Sequence, residues 1–246
     1  MQLKKQILAF AAMLGLSFSA QAISPEGTDL FVTQMSQILN NYSEIGNDDE
    51  YRQRLSALSG QIDYQLDPMV KEQITLRVEK MKSSTERTLG KAEIYFPIFE
   101  EYLAKYDVPY HIKYLAIIES NLQPRAKSPA GAGGLWQFIP STARMYNMTL
   151  NATTDERSDT HRASEAAAKL LSDLYKYHGD WALAMASYNC GAGRVNSAIR
   201  QAGSKDYWKV RKFLPYETQK YVPYFMAVVY AGEYAQFHDI IHEKQH

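Results

Sequence analysis

Tyr110-His111-Ile112-Lys113-Tyr114-Leu115-Ala116-Ile117-Ile118-Glu119-Ser120-Asn121 is a largely apolar segment that runs into a carboxylate, and Pro124 stops it soon afterwards. Leu115 lies four residues before Glu119 and Leu122 three after it. On a helix, these spacings put the carboxyl on a face with apolar neighbours. Desolvation there disfavours the charged form and raises the pKa, which suits a general acid working near neutral pH. The same position also reads as an ordinary surface Glu near a helix C-terminus. What surrounds it decides between the two.

Outward from this segment the pattern is helical almost throughout. Pro68 opens a helix through Val70, Ile74 and Val78. Ile94-Tyr95-Phe96-Pro97-Ile98-Phe99 with Leu103 opens a second, which Val108-Pro109 breaks. A Gly- and Ser-rich loop runs from Ala126 to Gly134, and Pro140-Ser141-Thr142 starts a short helix ending near Tyr146. Residues 162–178, 181–189, 193–201 and 216–236 read as helices, with Gly179, Gly191 and Gly203 at C-caps or turns. Alternating strand patterns are nearly absent, so the expected fold class is all-α. Before Pro68, an amphipathic patch from Leu30 to Leu39 and a weaker one from Tyr51 to Leu58 form a small N-terminal helical extension, partly flexible, over residues 23–67.

The chain begins Met1-Gln2-Leu3-Lys4-Lys5, followed by a mostly apolar run from Ile7 to Phe18 that is too short to span a bilayer. Ala20-Gln21-Ala22 places small residues at the −3 and −1 positions of a secretory cleavage site. Residues 1–22 therefore read as a signal peptide, with the mature protein exported and periplasmic or associated with the cell envelope. An uncleaved N-terminal anchor is the other reading. No Cys near the cleavage site offers a lipid-attachment signal, so no stable membrane insertion is expected after cleavage. Cleavage leaves 25 basic and 27 acidic residues, without the clustered basic surface that nucleic acid needs. Cys190 is the single cysteine, which excludes an internal disulfide. Stability must come from a core, and 18 Tyr, 9 Phe and 3 Trp supply large apolar bodies. Many tyrosines also suit a carbohydrate site, where rings meet sugar faces.

Three further segments carry chemistry. Ser128-Pro129-Ala130-Gly131-Ala132-Gly133-Gly134-Leu135-Trp136-Gln137-Phe138 combines an easily shaped backbone with a Gln able to bond sugar hydroxyls or an acetamido group. Read alone, it is equally a flexible loop with a buried Trp anchor. Tyr188-Asn189 before Gly191-Ala192-Gly193 puts a phenol and a carboxamide at the end of an apolar helix, where Asn189 also reads as a cap. That Gly-x-Gly lacks the length and flanking strand of a nucleotide loop. Glu217 and Tyr221, four apart, point the same way on a helix, and Glu217 also suits the helix dipole.

Glu119-Ser120, Gly134-Leu135-Trp136-Gln137-Phe138, Ser187-Tyr188-Asn189 and Glu217 through Tyr221-Val222 resemble, in this order, the four motifs of the soluble-lytic-transglycosylase domain. That is a goose-type-lysozyme-like glycosidase family acting on peptidoglycan. Tyr95-Phe96-Pro97-Ile98-Phe99 and Gly179-Asp180-Trp181-Ala182-Leu183-Ala184 look most like the membrane-bound murein transglycosylase D branch. The resemblance covers about residues 68–235. It departs from that branch in lacking the usual lipid-anchoring cysteine and C-terminal LysM repeats. It implies a lysozyme-like helical domain over 68–237, followed by a tail over 238–246. It also implies Glu119 as sole catalytic acid/base, Ser128 orienting it or the substrate, and Gln137 binding a sugar. Tyr188, Asn189, Glu217 and Tyr221 would lie in the cleft, Tyr221 close to Glu119 and Asn189 against an acetamido group. The implied partners are peptidoglycan glycan strands, with no cofactor and no metal.

Ordinary glycosidases use two carboxylates about 5–9.5 Å apart. Residues 120–154 contain no acid, so the loop after Glu119 supplies no partner, and Glu217 remains a distant candidate. Without a second carboxylate, the 2-acetamido oxygen of N-acetylmuramic acid would stabilise the charge developing at C1. A muramidase using water instead, and a non-catalytic peptidoglycan-binding module, are the competing readings. His238, His242 and His246 share one helical face but are terminal and lack a Cys partner, which argues against zinc.

Overall fold

The protein is described by a computed structural model that covers residues 48–241. The proposed signal peptide, the expected helix over 30–39, and His242 and His246 lie outside the described residues. The chain divides into two compact units, 1–51 and 52–246, and every element named below belongs to the second. These elements are α1 (the 52–58 part of a helix over 48–58), α2 (Pro68–Thr75), α3 (Lys82–Lys105), α4 (Leu115–Ser120), α5 (Pro140–Met145), α6 (Thr160–His178), α7 (Trp181–Cys190), α8 (Ala192–Ala202), α9 (Tyr207–Val210) and α10 (Tyr216–Glu233). Among the described residues there are isolated bridges but no strand, so the fold is all-α as expected.

Aspartates start four of these helices. Asp67, Asp159, Asp180 and Asp206 accept backbone N–H bonds from Val70, Arg162, Leu183 and Trp208, at the heads of α2, α6, α7 and α9. Each satisfies one of the donors that a helix start leaves unpaired. Gly179 and Gly203 end α6 and α8 in the left-handed conformation, as the sequence predicts.

Two boundaries differ from expectation. The helix from Pro68 leaves the α geometry after Thr75, and a five-residue π turn, Leu76–Lys80, follows. The second helix starts at Lys82 rather than Ile94 and keeps Pro97 inside it. Its first half buries Leu89 together with Thr88, Gly90 and Ala92, and the last three are small or weakly apolar and give little hydrophobic periodicity. Pro97 removes one ladder donor without ending the helix. The segment 110–121 is also divided, into a 3-10 stretch Tyr110–Tyr114 and then α4.

α10 is apolar on nearly every side and is correspondingly the central helix, with Val222, Phe225, Met226, Ala227, Val229 and Tyr230 fully shielded. It packs against α2, α4 and α7, while α6 packs against α3 and α7. The approach of α10 to the 3-10 stretch leading into α4 depends on Gly232, where an added Cβ would lie 2.4 Å from the Tyr114 ring. The Tyr114 hydroxyl donates to Glu233 at 2.9 Å. This contact seats the apolar helix that carries Glu119 against the core.

Candidate active site

Glu119 lies in the last turn of α4, just before two consecutive left-handed residues, Asn121 at φ 51° and Leu122 at φ 55°. Positive φ is uncommon for residues other than glycine, and it is least comfortable for a bulky one such as Leu122. Burial of Leu122 holds the turn. Ser120, also buried, donates within hydrogen-bonding distance of both Ala116 O and Leu135 O, tying α4 to the glycine loop.

The loop itself is fastened by a residue the sequence reading missed. Arg157 donates to Gly131 O at 2.7 Å and Phe138 O at 3.0 Å, and its Nε and Nη2 pair with Asp155 at 2.8 and 2.7 Å. Gly134 has φ 82°, and a Cβ there would sit 1.7 Å from the Arg157 carbonyl oxygen, so only glycine fits. Trp136 is fully buried, and its indole N–H donates to Ser164 Oγ at 3.1 Å. The loop is thus clamped at both ends. The signal available in sequence was Asp155-Glu156-Arg157, but nothing in its spacing connects it to a loop twenty residues earlier.

One cleft of about 1010 Å³ is lined by Glu119, Ser128, Gln137, Tyr188, Asn189, Glu217 and Tyr221 together. All seven residues singled out from the sequence therefore meet. The Tyr221 hydroxyl donates to Glu119 Oε1. Tyr188 donates to Trp136 O at 2.7 Å, bracing the loop from the α7 side. Asn189 accepts from Thr218 Oγ1 at 2.7 Å through its carbonyl oxygen, which leaves its amide donors for a ligand. Gln137 is used differently from the expectation. Its amide nitrogen donates to Gly134 O at 2.8 Å and Ala126 O at 3.3 Å, so its carbonyl oxygen is the group left for a sugar hydroxyl. Ser128 Oγ accepts from the Ala132 N–H at 3.0 Å, and the hydrogen bond on Glu119 comes from Tyr221. Ser187, on the cleft wall, lies 2.7 Å from His178 Nε2, a buried pair that sequence reading also passed over.

Burial pushes the Glu119 carboxyl up from its ordinary value to about 7. The nearby negative charge of Glu217 adds to the rise, and the Tyr221 hydrogen bond opposes it. Glu217 itself is exposed, in the first turn of α10. The cleft thus holds one desolvated acid and one hydrated carboxylate. A half-protonated group near neutrality can both give and take a proton. Among the described residues no group of three metal-ligating side chains occurs, and His238 Nε2 lies 3.0 Å from the Tyr230 hydroxyl. None of the described helices is long and apolar enough to cross a membrane.

Residues 96–211 match the family model described as the Transglycosylase SLT domain. The chain is 38% identical over 143 residues to the membrane-bound lytic murein transglycosylase D of Escherichia coli K12, covering 56% of this chain and 31% of that relative. It is 32% identical over 117 residues to a putative tributyltin chloride resistance protein of Alteromonas sp. M-1, covering 47% of this chain and 56% of that one. The fold is similar to the crystal structure of the 70 kDa soluble lytic transglycosylase of Escherichia coli, with TM-score 0.51 and 26% identity over 58% of this chain and 24% of that one. The chain therefore spans only part of the relatives it matches. In motif order and helical fold, residues 96–211 are thus similar to a transglycosylase SLT domain.

Proposed function

We propose that this protein is a peptidoglycan lytic transglycosylase, exported to the periplasm or cell envelope. In this reading 1–22 is the signal peptide, 23–67 an extension, 68–237 the catalytic domain and 238–246 a tail. The observation that carries it is Glu119, held at a pKa of about 7 in a cleft that a glycan strand would fill. Protonated Glu119 gives its proton to the oxygen linking N-acetylmuramic acid C1 to N-acetylglucosamine, and that C1–O bond breaks. The acetamido oxygen of the muramyl residue stabilises the positive charge at C1, with Asn189 donating to the acetamido group and Gln137 accepting from a sugar hydroxyl. Ionised Glu119 then takes the proton of the muramyl 6-hydroxyl, whose oxygen bonds to C1. The product is a 1,6-anhydromuramyl end, and no water is consumed.

Glu217 lines the same cleft, which favours keeping the hydrolytic reading as the second one. Mass spectrometry of muropeptides separates the two, because anhydro ends are lighter than reducing ends by one water. The proposal expects anhydro ends from the wild type and a loss of roughly 10²–10⁴-fold for Glu119→Gln. Reducing ends that vanish in Glu217→Gln would instead establish the hydrolase.

A further inference from the structure

A second cavity, of about 250 Å³, lies on the other flank of α4 between the π turn, α3 and α10. Ile118 and Tyr224 line both cavities, which puts the second one beside Glu119. Its apolar wall includes Leu89, Ile117, Val228 and Ala231. The polar wall offers donors. Arg77 reaches it from the π turn, and its Nε is buried without any hydrogen-bond partner. Asn121 accepts from Thr88 Oγ1 at 2.7 Å through its carbonyl oxygen, so its amide donors are left over. The Thr85 hydroxyl is turned to the carbonyl oxygens of Arg77 and Met81. No Asp or Glu lines this cavity.

A guanidinium drawn into a partly apolar cavity without an acid partner is costly, and a buried N–H left unpaired is a rare feature. Burial lowers the Arg77 pKa, the cost expected of a cation with no counter-ion. Such a site is relieved by an anion with two acceptor oxygens, and a carboxylate matches the guanidinium fork. The apolar wall then calls for small aliphatic groups next to that carboxylate. π turns of this kind often mark functional positions.

We propose that this cavity is a subsite for the carboxylate end of a stem peptide on the glycan strand being cut, with Arg77 binding the carboxylate and the aliphatic wall the adjoining methyl groups. The proposal rests on the peptidoglycan reading of the main cleft and adds a specificity element to it.

The test compares glycan strands carrying stem peptides with the same strands stripped by an amidase, using the full chain. Arg77→Gln is expected to lower kcat/KM on peptide-bearing strands about tenfold relative to stripped ones, the value of one hydrogen bond to a charged group. Arg77→Lys should restore part of that preference. Ser84→Phe, which fills the cavity from its α3 wall and leaves residue 77 an arginine, should erase the preference in the same way, and it carries the test if Arg77→Gln does not fold. An unchanged ratio between the two substrates in both Arg77→Gln and Ser84→Phe would overturn the proposal. Direct titration with acetyl-D-alanyl-D-alanine supplies a readout that does not need turnover. Binding that is lost in Arg77→Gln supports the site, and equal binding by both proteins, or by acetate alone, overturns it. If the wild type bound the dipeptide yet made no anhydro ends from either strand, the function proposed for the main cleft would fail separately.

Discussion

The proposed mechanism gives a single carboxyl two jobs, which makes pH the sharpest probe of the site. Glu119 must be protonated to start the reaction, so kcat/KM should fall as pH rises through about 7. The Tyr221 hydrogen bond holds that pKa down against burial, so Tyr221→Phe should move the alkaline limb to higher pH, read from a pH–rate profile. Stability responds through the same group. Its folded pKa lies above the ordinary carboxylate value of 4.5, so the folded state binds the proton more tightly than the unfolded one. The stability tied to that proton is complete below about 4.5 and is lost as pH rises to about 7. Glu119→Gln should therefore leave the melting temperature unchanged near pH 4 and raise it at pH 8, by the equivalent of about 1–3 kcal/mol. A variant less stable than wild type at pH 8 would show that the carboxylate is well solvated.

At the scale of elements, the site depends on a glycine loop held by Arg157. Removing that side chain leaves the Gly131 and Phe138 carbonyls without their donor and Asp155 without its cation. Since Asp155 is partly exposed, Arg157→Leu should cost about 2–3 kcal/mol rather than the ~3–5 of a fully buried pair. Gly134→Ala combines backbone strain with a collision against Arg157 O and should cost about 3 kcal/mol or more. Chemical denaturation measures both. The motif around Trp136-Gln137 could be read from sequence because its residue types are distinctive. Its clamp could not, since Asp155 and Arg157 are ordinary charged residues until the fold brings them to the loop.

For the whole molecule, the decisive relation is α10 lying against α4. Tyr221 and Glu119 come from these two helices, and Gly232 permits their approach. Gly232→Ala pushes a methyl group into the Tyr114 ring and should destabilise by about 1–3 kcal/mol. Because the same displacement separates Tyr221 from Glu119, turnover of the folded variant should also fall, and its pH profile should shift as in Tyr221→Phe. A folded variant with normal turnover would show that the helix contact and the site are independent.

Helical periodicity, prolines at helix starts, glycines at helix ends and the near absence of alternating strands were properties of the chain that any compact state must honour, so the all-α class and most helix ends were legible without coordinates. The Glu119 face was legible only in part: Leu115, four residues earlier, is placed by helix geometry, but α4 ends at Ser120 and Leu122 lies beyond it in left-handed backbone. The start of α3 was hidden, since small residues such as Gly90 and Ala92 carry little apolar signal. Tertiary packing alone decided that Tyr221 bonds Glu119, that Gln137 turns its amide into the loop, and that Arg157 clamps that loop. It also decided that the Arg77 Nε ends without a hydrogen-bond partner at a second cavity. The Arg157 clamp joins residues 19 and 26 positions apart and the Tyr221–Glu119 bond residues 102 apart, and no local periodicity encodes which distant partner a side chain will meet.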